Sequence, residues 1–179
     1  MTAHGSATAS ALAKDAPESR ARVASRLYEE GIVAGMIGAT TLALWFLVLD
    51  TIDGRPLYTP TVLGTALFRQ GVGLADPDTL PVSLEMALMF TWVHYLVFAM
   101  IGGAAARLLG LAERDPNYGF GILLLFVVFM FGFIVTAMIF AEALLAALAW
   151  QAILVGNLLA AAAMAVYFWR RHPDLRIRP

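Results

Sequence analysis

A single histidine, His94, lies within a long apolar stretch, and the polar residues that can reach its level are Thr91, about one turn earlier, and Asn157, far along the chain. An imidazole in such a place can relay protons, ligate a metal, or serve as a neutral hydrogen-bonding ring. Metal ligation needs further donors at the same depth. The other histidines, His4 and His172, fall in polar flanks, which argues against a bis-histidine haem within one chain. Spacings such as Glu-x-x-His or His-x-x-x-His, which build zinc or di-iron sites, do not occur. Glu85 precedes His94 by nine residues, half a turn out of phase on a helix, so the two point to opposite sides. We therefore expect no metal site and no cofactor. Three readings of His94 remain: a ring satisfied by Asn157, Thr91 or a backbone carbonyl; a proton or small-solute pathway built from copies of His94 and Asn157 in a homo-oligomer; and a contact to a lipid, a quinone or a partner's cofactor, in a pocket that Trp92, Tyr95 and Trp45 near that level could line.

A second group of candidates falls at the borders of the apolar stretches: Asp50, Arg55, Glu85 and Glu142. At a membrane rim these groups can stay hydrated and could act on a lipid or a quinone. No Walker loop, Gly-x-Ser-x-Gly elbow, His-Glu-x-x-His or Gly-x-Gly-x-x-Gly accompanies them. With no cysteine there is neither a disulfide nor a thiol nucleophile. A net charge of −1 and the lack of a basic, aromatic-interleaved motif speak against nucleic acid as a partner.

The elements that must position these residues are read from hydropathy. Apolar residues make up 60% of the chain, against roughly 45–50% in soluble domains. They are concentrated in four blocks, 31–49, 84–109, 118–141 and 148–169, each about the 20 residues needed to cross a bilayer as a helix. The blocks are continuous, without the two-residue alternation of a barrel strand, so the predicted fold is all-α, a four-helix transmembrane bundle. Entering from the end that holds Glu85, His94 would lie roughly 15 Å deep and Asn157 roughly 14 Å deep at the helical rise per residue.

Lys14, Arg20, Arg22 and Arg26 precede the first block, Arg107 and Arg114 border the second connection, and Arg170, Arg171, Arg176 and Arg178 follow the last block. The positive-inside rule then places both termini in the cytoplasm, in agreement with four crossings. Residues 1–26 read as a mobile cytoplasmic tail without the apolar core of a secretory signal. Arg20, Val23, Leu27 and Tyr28 permit a short amphipathic helix over 18–30 on the inner surface. Residues 27–171 form the transmembrane domain, and 172–179 a cytoplasmic C-terminal tail. The layout resembles that of small bacterial four-helix membrane proteins, which implies the bacterial cytoplasmic membrane.

The long connection, 50–83, carries its own signals. Thr59 before Pro60 predicts an N-cap, Val62 to Phe68 is apolar, and Gly71 predicts the stop, so a helix of about three turns is expected in this external loop. It is too short to span, which predicts an interfacial helix. In the first block Gly31, Gly35, Ala39 and Ala43 recur at four-residue spacing, as do Ala99 with Gly103 and Gly102 with Ala106 in the second. Such small-residue faces let backbones approach closely in lipid. The third block instead aligns Phe126, Phe129 and Phe133, a face for lipid or for a partner. The expectation that combines these features is a non-catalytic accessory subunit that packs against and stabilises a larger membrane complex, respiratory or another electron-transfer assembly. Its partners would be membrane lipid and other membrane subunits, or itself.

Overall fold

Apolar stretches can satisfy their backbone in lipid through the intrahelical hydrogen-bond ladder, and the chain takes that solution. The computed structural model describes residues 3–70, 74, 79–112 and 150–171, with side chains described for 25–70, 74, 79–110 and 151–171. The described elements are all helices: α1 (Ala3–Ile52), α2 (Tyr58–Phe68), α3 (Leu84–Ala112) and α4 (Trp150–Arg171). Three stretches within them are long and apolar enough to cross a membrane, Ser25–Ile52, Leu84–Gly110 and Gln151–Arg171. The expected span at 118–141, with Phe126, Phe129, Phe133 and the neighbouring Glu142, lies outside the described residues.

At the start of the chain, residues 3–26 are helical in backbone and continuous with the first span, so the helix expected to lead into that span from about residue 18 extends further back. The segment is rich in alanine, the residue that loses least on entering a helix.

α1 is the helix on which the others assemble, and α3 and α4 each pack along it. The α1–α3 contact is made by backbone. A Cβ placed on Gly31 would lie 2.5 Å from the Gly102 carbonyl oxygen, and one on Gly102 would lie 2.6 Å from the Gly35 nitrogen. No side chain larger than hydrogen fits there, so the small-residue faces read from the sequence do meet each other. α4 also packs along α1, where the Trp45 indole N–H donates to the Ala152 carbonyl at 2.9 Å and Met164 packs on Gly38, which Phe98 of α3 meets as well.

These contacts fix directions. Residue numbers fall along α3 and α4 as they rise along α1: Gly31 meets Gly102 and Ala106, and Gly35 meets Phe98. Both helices therefore run antiparallel to α1. Exposed Arg26, Arg107, Arg170 and Arg171 consequently gather at one end, while Asp50, Asp53 and Glu85 mark the other. Between the ends the flanks are apolar and open, with Leu44, Leu88, Met100 and Leu158 all more than half exposed. Only 22%, 11% and 17% of the three spanning windows is buried, a surface suited to hydrocarbon rather than water.

α1 stops where Gly54 takes a left-handed φ of 73°, after Asp53 N–H has bonded back to the Leu49 carbonyl and Gly54 N–H to that of Thr51. The chain then turns into α2, which lies across the start of α3: Gly64 rests directly on the Met86 carbonyl, and Thr61 and Ser83 exchange hydrogen bonds at 3.2 Å.

Candidate functional site

The residues singled out for chemistry fall into two places, the entry to α2 and the middle of the α1–α3 contact.

At the entry to α2 the structure corrects the reading of Asp50 as a hydrated rim carboxylate. Asp50 is 5% exposed. One carboxylate oxygen accepts the Thr59 backbone N–H at 2.8 Å and the other accepts the Thr59 hydroxyl at 2.6 Å. The first turn of a helix leaves N–H groups without intrahelical partners, and a carboxylate there satisfies one of them and complements the helix dipole. Asp50 thus caps α2 from the last turn of α1. The predicted cap, Thr59, sits inside the helix, which begins at Tyr58 after Leu57 in a left-handed conformation (φ 69°). The reason is that a carboxylate is a stronger acceptor than a hydroxyl, so Thr59 presents its O–H as a donor. Arg55 is also engaged: its guanidinium donates to the Leu80 carbonyl at 3.2 Å and stacks 3.7 Å from the centre of the Tyr58 ring. Glu85 is exposed on the first turn of α3, where the dipole favours it. Asp50 and Arg55 build a corner, Glu85 lies on the first turn of α3, and Glu142 lies outside the described residues.

In the middle of the α1–α3 contact, the His94 Nε2 lies 3.1 Å from the Ala39 carbonyl oxygen. A carbonyl can only accept, so Nε2 carries the proton, and in the neutral ring Nδ1 is left as an acceptor. Of the partners foreseen for His94, a backbone carbonyl is the one realised. The helical carbonyl of Ala39 has a second lone pair, and the methyl side chain leaves it reachable. Thr91 turns its hydroxyl to its own helix, donating to the Ala87 carbonyl at 2.7 Å. Asn157 makes no bond to His94. It is half-buried on α4 beside Gly156, which packs on Leu42 and Trp45 of α1.

Sequence reading placed Tyr95 near the level of the imidazole but missed the two phenylalanines beside it. Phe90 and Phe98, one turn before and after, flank it at ring-centre distances of 5.8 and 4.7 Å, and Tyr95 meets it edge-on at 5.8 Å. The four-residue spacing of Phe90, His94 and Phe98 is the signal that could have revealed this stack. Tyr95 hydroxyl lies 2.9 Å from the Thr40 hydroxyl, which itself donates to the Met36 carbonyl at 2.8 Å, so the tyrosine is the donor of the pair. Between this cluster and the Asp50 corner runs a cavity of about 210 Å³, walled by α1, α2 and α3.

Among the described residues no three of His, Asp and Glu come close enough to hold a metal ion. Comparison of the chain with protein-family models, with curated proteins and with solved structures found no match in any of the three, so a functional reading stands on this geometry and on the sequence.

Proposed function

We propose that this protein is a non-catalytic integral membrane subunit that packs against and stabilises a larger membrane complex. The observation that carries this reading is the employment of its polar groups. Asp50 holds α2 through Thr59, Arg55 holds the Leu80 carbonyl, and the His94 N–H holds α1. These are structural uses, and they leave broad apolar flanks as the part of the chain facing outward. The Phe126, Phe129 and Phe133 face is our choice for the surface that meets the partner.

The four-span arrangement, with both termini cytoplasmic and α2 on the outer surface, belongs to the same proposal. It is supported by the gathering of Arg26, Arg107, Arg170 and Arg171 at one end. It is supported also by the directions of α3, which ends at the basic end, and of α4, which starts at the opposite one. Because the chain has no cysteine, single introduced thiols can report the orientation. In intact cells an impermeant maleimide is expected to label Asp53→Cys and to leave Arg26→Cys unlabelled until the membrane is broken; the reverse pattern would invert the topology.

The association itself is tested by extraction in mild detergent, native electrophoresis and mass spectrometry of co-migrating chains. Replacing Phe126, Phe129 and Phe133 with leucine is expected to cost about 0.5 kcal/mol per ring, within the range for volume-similar apolar exchanges, or about tenfold in association. Unchanged co-migration of the partner would remove this face from the proposal, and migration of the wild-type chain alone would remove the proposal itself.

A further inference from the structure

We propose that the cavity beside His94 binds a hydroquinone-headed amphiphile, a single flat ring bearing a phenolic hydroxyl and an apolar tail. This inference is independent of the accessory-subunit reading.

The first argument is the unspent acceptor. Nε2 of His94 donates to Ala39, and Nδ1 has no hydrogen-bond partner among the described residues. Since no buried side-chain nitrogen or oxygen lacks a partner there, Nδ1 keeps accessible surface. An acceptor accessible in an apolar setting gains from a ligand that brings an O–H. A quinol has such a donor, and an oxidised quinone has acceptors only.

The second argument is shape. The cavity holds about 210 Å³, more than the roughly 150 Å³ that accommodates benzene in an engineered apolar site, so one substituted ring fits. Its walls carry Phe90, His94 and Tyr95, aromatic faces and edges against which a ring packs better than a saturated chain does. Leu44 and Leu47, also in its lining, are exposed on the apolar flank, which gives the tail a lateral way into the bilayer.

The test uses the full-length protein in nanodiscs under anaerobic, reducing conditions. Equilibrium dialysis would compare decylbenzohydroquinone, its dimethyl ether and decylbenzoquinone. The expected result is saturable binding of the hydroquinone at one per chain, with the ether and the quinone at least tenfold weaker because neither can donate to Nδ1. His94→Phe, which keeps a ring in the stack and removes the acceptor, should weaken hydroquinone binding by at least tenfold. Equal uptake of all three compounds, or uptake that never saturates, would overturn the proposal as mere partitioning into lipid. Stronger displacement of the hydroquinone by oleic acid than by unlabelled hydroquinone would overturn it in favour of a fatty acid. The ligand comparison needs no variant, so it decides the matter even if His94→Phe fails to fold.

Discussion

Asp50→Leu is expected to release α2 from the membrane domain. The substitution leaves two buried donors, the Thr59 N–H and O–H, without their acceptor. Each stranded group costs on the order of 1–3 kcal/mol, so the two together cost about 4 kcal/mol. The N-terminus of the helix also loses the negative charge that complements its dipole. Amide exchange over Tyr58–Phe68 would then accelerate about a thousandfold, while exchange in α3 changes little. Thr59→Val separates the contributions: it removes only the O–H and leaves the N–H on Asp50, so its effect should be about half as large in free energy. If α2 exchanges at the same rate in Asp50→Leu as in the parent chain, the carboxylate is not what holds the helix.

Gly102→Leu is expected to part α1 from α3. Even a methyl group at this position meets the Gly31 carbonyl oxygen and the Gly35 backbone. Backbone atoms cannot rotate aside as a side chain does, so the helices must separate, at a cost of about 3 kcal/mol, the upper part of the range for overpacking. Separation also loses the dispersion contacts that hold helices together in lipid, where no hydrophobic gain replaces them. The His94 bond to Ala39 and the Tyr95 bond to Thr40 span the same contact and should fail with it. Denaturation by dodecyl sulfate in mixed micelles would reveal the loss as a lower midpoint. Gly103→Leu is the matched control, because its nearest outside atom is the Tyr28 ring at 3.9 Å, where there is room for adjustment. Equal stability of the two variants would show that the close backbone approach at Gly102 carries no special weight.

The two substitutions act on different joints, one at the α1–α2 corner and one at the α1–α3 seam. Their effects on exchange should therefore be regional. Both joints put polar or backbone groups where one would look for chemistry, and this is why a list of ionisable residues overstates how many are free to react.

Much of the architecture was legible in the residues. Apolar blocks of spanning length place three helices correctly, because hydropathy is a sum over neighbours in sequence and the intrahelical ladder leaves lipid-exposed chain little else to do. The short helix in the first connection was legible from its proline, its apolar run and its length. The glycine faces of α1 and α3 were legible because four-residue spacing is a property of one helix alone. Position along a helix follows from counting, and His94 and Asn157 do lie inside the spanning stretches Leu84–Gly110 and Gln151–Arg171.

Rotation about the helix axis and the path of the turns do not follow from counting. His94 and Asn157 were placed at one depth, yet no bond joins them, and the imidazole meets the Ala39 carbonyl instead. That choice is made by the glycine contact, which sets the crossing of α1 and α3 and thereby the single carbonyl within reach of the ring. Asp50 was placed at the correct end but in the wrong medium. Whether a carboxylate at the end of a helix faces water or is buried depends on donors brought to it by the following chain. Here the turn through Gly54 and Leu57 delivers Thr59 to it. Sequence by itself determined where three spanning helices and the short helix between the first two lie; the tertiary structure decided which groups meet, because contact depends on azimuth and on loop path, and neither is encoded within any one segment.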